Sequence, residues 1–428
     1  MTDMTGLPEG SEITSGTDAA ALAAGSALDL SRYRKLAVYI GMGQSFIDGV
    51  GHGNLRETTQ AIAPGRAVTT RTSGDLQNLL PDRAYSGLYD TGTGRGRETP
   101  LLQASAGILP ALEPDEGLLT MNFGRGGFGY AKLRKTGSTA VYDNWLRAID
   151  QQQRYAASAG LTLTRLFVSW VHGHADGKLS AAEYQANLLE LLGDLAADFA
   201  SRAPGAETLI CLSQLACRAG GERFAVGLAQ HHAAQAEPRI LMACPEYPIA
   251  RVDGTHMTGA GYALLGAYHG RAIRKTLQCG AKWQPLHMAS AERIGASVRV
   301  RFAGGEGDLT FDAHRPDQGA VVMGVRPLAD RGFTWVQSGG TEAAITGVAL
   351  TGRREITIGL SADPGASACA RLILGATPAG GSGQEGFVGG DPATATGGAT
   401  NIRTIGTDTD AWGRVLHDWA LLSEIEVV

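Results

Sequence analysis

Leu36-Ala37-Val38-Tyr39-Ile40-Gly41-Met42-Gly43-Gln44-Ser45 is the stretch on which the reading of this chain turns. Its first half is apolar without polar alternation, the pattern of a short strand covered on both faces, as in a parallel sheet. The strand runs directly into a glycine-flanked turn that carries Ser45, with Asp48-Gly49 just beyond. A serine on such a turn presents its hydroxyl to a substrate, or else caps the helix that follows.

Outward from this stretch the same signal recurs. Apolar runs at Leu118–Phe123, Leu166–Val171, Thr208–Leu212 and Ile240–Cys244 read as further buried strands, five in all with the first. Helical periodicity fills the intervals. The clearest case opens on Ser180-Ala181-Ala182-Glu183, a capping box, and continues through Tyr184, Leu188, Leu191, Leu192, Leu195 and Phe199. Strands alternating with helices predict an α/β domain over residues 31–282, a five-stranded parallel sheet between two helical layers. In such sheets the chemistry sits beyond the carboxyl ends of the strands.

After Trp283 the period changes. Val298, Val300 and Phe302 alternate with Ser297, Arg299 and Arg301, and Val348/Leu350 and Ile356/Ile358/Leu360 repeat the pattern. Residues 283–428 are therefore expected to form an all-β, sandwich-like domain, with the nine glycines of 375–400 in a long surface loop. Residues 1–30 are small and polar and read as a tail or attachment segment.

Composition narrows the classes of function. A net charge of −5 without a basic block gives no footprint for nucleic acid, and no apolar run is long enough for a membrane span. Met1 to Glu12 has neither a basic nor an apolar leader region, which leaves a cytoplasmic location or a place in a virion or extracellular assembly. The five cysteines, Cys211, Cys217, Cys244, Cys279 and Cys369, have no CxxC spacing and read as buried free thiols. No cofactor is expected.

Three further blocks fall at strand ends. Asp253-Gly254-Thr255-His256 follows the last α/β strand, a spacing at which a carboxylate can orient an imidazole that takes the proton of Ser45. Gly124-Arg125-Gly126-Gly127 follows the second strand and offers backbone N–H groups to a developing oxyanion. The third strand ends in Trp170-Val171-His172-Gly173-His174-Ala175-Asp176. The two histidines and the aspartate also fit an HxHxD zinc motif, although Gly177 stands where a further histidine is expected and the preceding chain is not a β meander.

Taken together, Gly43-Gln44-Ser45, Gly126-Gly127 and Asp253-x-x-His256 followed by Gly261-Tyr262 resemble the SGNH (GDSL-like) hydrolases. The likeness is to their sialate O-acetylesterase and acetylxylan esterase branch, and it spans about residues 34–280. It implies a flavodoxin-like three-layer fold and hydrolysis of O-acyl esters, O-acetyl above all, on a sugar or polysaccharide. It further implies Ser45, Asp253 and His256 as the triad. The backbone N–H groups of Ser45, Gly126 and Gly127 would form the oxyanion hole, and Gln44, His174 and Asp176 would face the substrate. The third block departs from that branch, which carries Trp-x-Gln-Gly-Glu-Ser-Asp. His172 replaces the glutamine and His174 the glutamate, so an imidazole N–H of His172 is expected to donate to the oxyanion. The competing class is a non-catalytic glycan-binding or structural module of a larger assembly, joined through the N-terminal segment or the β domain.

Overall fold

The computed structural model describes residues 28–29, 31–51, 56–70, 86–88, 97–216, 222–252, 255–312, 329–375, 400–406 and 408–428. Most of the N-terminal segment, nearly all of the glycine-rich stretch 375–400, Cys217 and Asp253 lie outside the described residues.

The α/β part runs β1 (Lys35–Gly43), β2 (Ala67–Thr69), β3 (Ser86–Gly87), α1 (Pro100–Ile108), β4 (Glu116–Gly124), α2 (Tyr130–Leu133) and α3 (Val141–Ser158). It continues through β5 (Thr162–Val171), α4 (Ala181–Ala200), β6 (Glu207–Gln214), α5 (Glu222–Ala236), β7 (Ile240–Pro245) and α6 (Gly259–Cys279). Its sheet has the order β3-β2-β4-β1-β5-β6-β7. The five expected strands are all present and mutually parallel, in the flavodoxin-like order, but the sheet is larger than expected. β2 adds a sixth parallel strand beside β4, and β3 pairs antiparallel with β2. At three and two residues these strands are too short to show any period in the sequence.

The period of two along β1 sorts the two helical layers. Leu36, Val38, Ile40 and Met42 enter one core with Trp145 of α3, Leu188 and Leu195 of α4, and Val226 of α5. Ala37 and Tyr39 enter the other with Leu101 and Ile108 of α1 and Leu265 and Ile273 of α6. The α1–α6 contact depends on glycine. A Cβ on Gly266 would lie 2.0 Å from the Pro100 carbonyl oxygen, and one on Gly270 2.6 Å from that of Ala104. Helix α4 begins on the capping box, with Ser180 Oγ accepting from Glu183 N and the Glu183 carboxylate from Ser180 N.

The C-terminal strands are β8 (His287–Ile294), β9 (Ser297–Ala303), β10 (Leu309–Phe311), β11 (Phe333–Ser338), β12 (Ile345–Gly352), β13 (Glu355–Leu360), β14 (Cys369–Leu374), β15 (Ile402–Thr404) and β16 (Ser423–Val427). They form a separate β unit, as expected after Trp283. One seven-stranded mixed sheet, β11-β14-β16-β8-β9-β13-β12, carries most of them, and β10 and β15 form a separate two-stranded ribbon. Val298, Val300, Ile356 and Ile358 form a core with Leu309 and Ile402 of that ribbon, so a sheet is faced by a ribbon instead of by an equal sheet. Arg299 and Arg301 point outward to Glu292 and Glu355, as the alternation implies.

The segment between β15 and β16 returns to the α/β part. Leu416, Trp419 and Leu422 join the core beneath α6, and Leu421 joins the opposite one. Arg271 of α6, 2% exposed, donates to the Leu416 carbonyl at 2.8 Å and to Asp418 at 2.5 Å. Gln214 at the end of β6 bonds both the N–H and the carbonyl of Leu422. The boundary expected at 282/283 is thus crossed by buried polar and apolar contacts. No helix among the described residues is long and apolar enough to cross a membrane.

Candidate active site

Ser45 stands on the turn that leaves β1. That turn is fixed by Gly43, whose φ of +125° suits glycine and whose added Cβ would lie 2.3 Å from the Val171 carbonyl oxygen. Val50 N donates to Ser45 O at 2.9 Å, and buried Asn122 donates from Nδ2 to the Ile47 carbonyl at 3.2 Å. Asn122 Oδ1 also accepts from Gly124 N, so one side chain holds the turns after both β1 and β4.

His256 Nε2 lies 3.1 Å from Ser45 Oγ, 211 residues away in sequence. This is hydrogen-bond reach for a base and its nucleophile. The histidine sits in a tight return: Val252 N donates to His256 O, and Arg251 bridges Met257. Tyr262 joins the two loops, its hydroxyl donating to the Val50 carbonyl and accepting from Met257 N. Asp253, the expected carboxylate of the triad, lies outside the described residues.

Gly126 backs onto the serine. A Cβ built on it would meet Ser45 Cβ at 3.5 Å. Among the described residues, neither the Ser45 N–H nor the Gly126 N–H meets a protein acceptor, so both can serve an oxyanion. Gly127, at φ +77°, completes the same turn.

The third block is placed differently from expectation. Burial pushes His172 down to about 3, so the ring is neutral and carries one proton. Its Nε2 lies 3.2 Å from the Phe128 carbonyl oxygen, which can only accept, and its Nδ1 lies 3.1 Å from the Tyr184 hydroxyl. The proton is therefore on Nε2 and committed to Phe128. In this arrangement the N–H expected to serve an oxyanion is engaged by the Phe128 carbonyl. Gln44 is also turned inward, its Oε1 accepting from Gly173 N at 3.0 Å and from Ala175 N at 3.4 Å. Asp176 accepts from Tyr130 N at 2.8 Å and lies against Gly129. These side chains shape the loops that frame Ser45.

His174 reaches the site. Its ring stacks on Phe46 at 4.3 Å, and Phe46 in turn lies 5.9 Å from the His256 ring. His174 Nε2 is 3.3 Å from Glu246 Oε2. Burial alone would raise the Glu246 carboxyl, but His174, Arg251 and the Ser213 hydroxyl outweigh it and hold the group below its ordinary range. Arg251, 1% exposed, donates to Glu246 Oε2 at 3.2 Å and to the Thr255 carbonyl beside His256. Sequence reasoning missed Phe46, Glu246 and Arg251. The one available signal was a charged pair just beyond the last strand of a buried sheet, at positions where unpaired charge is costly.

The HxHxD side chains thus go to separate partners, and among the described residues no group of three or more His, Cys, Asp and Glu is placed to hold a metal ion.

Buried imidazoles set an acid limit on the fold. Burial pushes His172 and His231 down to about 3 and His269 to about 4, from an ordinary 6.5. Between pH 6.5 and 4 the unfolded chain takes up protons there that the folded chain does not. Stability therefore falls as the pH falls, by up to about 1.4 kcal/mol per pH unit for each histidine. Glu98 and Asp176, raised by burial, offset part of this as they take up protons in the folded state. Denaturant midpoints at pH 7, 6 and 5 are expected to drop steadily, and a flat series would mean that the three rings titrate when folded.

No known family profile and no curated protein sequence matches the chain. Among solved structures it is similar to a carbohydrate acetylesterase of Xanthomonas citri, at 12% identity and a TM-score of 0.53, over 91% of this chain and 80% of that one. A protein from Arabidopsis thaliana (17% identity, TM-score 0.41) covers 56% of this chain and 98% of its own. The protein NanS (12%, TM-score 0.36) covers 58% of this chain and 98% of its own. The first likeness establishes a carbohydrate-esterase-like fold. Its span is too long for the α/β part alone, so it takes in C-terminal strands as well.

Proposed function

We propose that the protein is a serine esterase of SGNH type that removes O-acyl, specifically O-acetyl, groups from a sugar or polysaccharide. The observation that carries this reading is the 3.1 Å approach of His256 Nε2 to Ser45 Oγ, beside backbone N–H groups of Ser45 and Gly126 that meet no acceptor among the described residues. The fold shared with a carbohydrate acetylesterase supports the choice of substrate class.

Ser45 Oγ attacks the ester carbonyl carbon while its proton passes to His256 Nε2. The carbonyl oxygen gains the negative charge and is held by the N–H groups of Ser45 and Gly126, with Gly127 adjoining. Collapse expels the sugar alcohol, which leaves with the proton from His256, and the acyl group stays on Ser45. Water then gives its proton to His256, adds to the acyl carbon and releases the carboxylic acid, restoring Ser45. Asp253 is assigned the role of holding the imidazolium, and buried Phe46 packs behind the His256 ring.

Acetate release from acetylated xylan and from an acetylated monosaccharide tests this, combined with labelling by a fluorophosphonate. The reading requires acetate release and a single adduct mapped by peptide mass spectrometry to Ser45. A protein that releases no acetate and takes no label is a binding module instead.

A further inference from the structure

A cavity of about 460 Å³ opens away from Ser45, lined by Glu57, Thr59, Gln60, Arg66, Pro110 and Trp412 among others. That volume falls within the range typical of small-ligand sites, about 300–1,000 Å³. Ala63, Arg66, Leu109 and Pro110 precede β2 and β4, at the amino ends of strands whose carboxyl ends face the serine. The cavity and the candidate active site are therefore separate.

One wall is fixed from behind. Glu98, fully buried, accepts from Glu57 N at 2.9 Å and from Thr58 N at 2.8 Å with one oxygen, and from the Thr58 hydroxyl at 3.0 Å with the other. Gln103 of α1 adds a bond to Thr58 Oγ1. This buried network holds Thr59 and Gln60 out toward the cavity.

The opposite rim is a small hairpin, closed by the Thr409–Val415 bridge, with Asp410 accepting from Trp412 N and Arg414 N. It presents Trp412 at 42% exposure, the sole aromatic among the exposed large apolar side chains of the described residues. The Arg414 guanidinium lies 4.6 Å from the indole centroid and is itself paired with Asp410, so the ring is braced on one side.

We propose that this cavity is a saccharide-binding subsite, with Trp412 as the platform for a pyranose ring. A flat, amphipathic indole suits the C–H face of a sugar, and Glu57, Thr59 and Gln60 offer donors and acceptors for its hydroxyls. An anionic ligand fits poorly. Arg66 is committed to the carbonyls of Glu116, Leu112 and Glu113, Arg414 pairs with Asp410, and Glu57 adds a negative charge. The subsite lets the protein hold a glycan chain at a second point while an acyl group is presented to Ser45.

The test is titration of the full-length protein with xylohexaose, cellohexaose, mannohexaose and N-acetylchitohexaose, followed by calorimetry and indole fluorescence. At least one is expected to bind saturably, with affinity reduced about tenfold or more in Trp412→Ala and partly kept in Trp412→Phe. Turnover of a small acetyl ester and the unfolding midpoint stay unchanged in both variants. No saturable binding to any of the four, or equal binding by Trp412→Ala, overturns the proposal. Trp412-dependent binding by a protein with no ester turnover would leave the subsite standing and overturn the esterase reading alone.

Discussion

Ser45→Ala is expected to lower ester turnover by about 10⁴–10⁶-fold, the loss typical when a triad nucleophile is removed. In the proposed mechanism the covalent route disappears with the hydroxyl, leaving only the proposed oxyanion hole to act on water. Folding is expected to be unaffected, because Ser45 is only partly buried and its hydroxyl is directed to His256. The main-chain bond from Val50 N to Ser45 O survives the change. Acetate release and an unfolding midpoint measured on the same preparation separate catalytic loss from misfolding. Retained turnover with a native midpoint would remove Ser45 from the mechanism. His256→Ala is expected to fall comparably, and the double variant little further, since the two act as a unit.

The largest structural effect is expected at Asp418. Its carboxylate is 3% exposed, pairs with Arg271 at 2.5 Å, and accepts from Glu306 N at 2.7 Å. Arg271 also lies 4.8 Å from the Trp283 ring, within the same buried patch. Asp418→Ala leaves a guanidinium buried without its counter-ion, which costs about 3–5 kcal/mol. Cutting the chain after residue 282 removes Asp418 together with Leu416, Trp419 and Leu422 from the core beneath α6. The fragment 1–282 is therefore expected to be insoluble or to lose cooperative unfolding, even though it keeps Ser45 and His256. A soluble fragment with a sharp denaturant transition would show that the C-terminal contacts are dispensable.

Much of the fold was legible because its signal is local. β1, β4, β5, β6 and β7 are covered on both faces, so each registers as an apolar run, and α4 announces its start with Ser180 and Glu183. The turn residues Gly43 and Gly126 and the pair Ser45 and His256 were legible for a related reason. Each sits where a buried strand gives way to a loop, and the wound sheet gathers the carboxyl ends of its strands at one edge.

What escaped the sequence depends on partners that sequence does not bring near. Whether His172 can donate to an oxyanion turned on Phe128 and Tyr184, 44 and 12 residues away: the carbonyl of the first accepts its single N–H, and the hydroxyl of the second donates to its other ring nitrogen. Glu246 and Arg251 acquire meaning only once His174 stacks on Phe46 and swings its ring to that carboxylate. The alternation in β8 to β16 fixed which side chains face inward, but not that one sheet would hold seven strands and the ribbon two. Nor did it show that Gln214 and Arg271 would close their hydrogen bonds on 416–422. Strand periodicity is written in neighbours two residues apart, whereas burial of a polar or charged group is satisfied by whichever distant segment packing delivers.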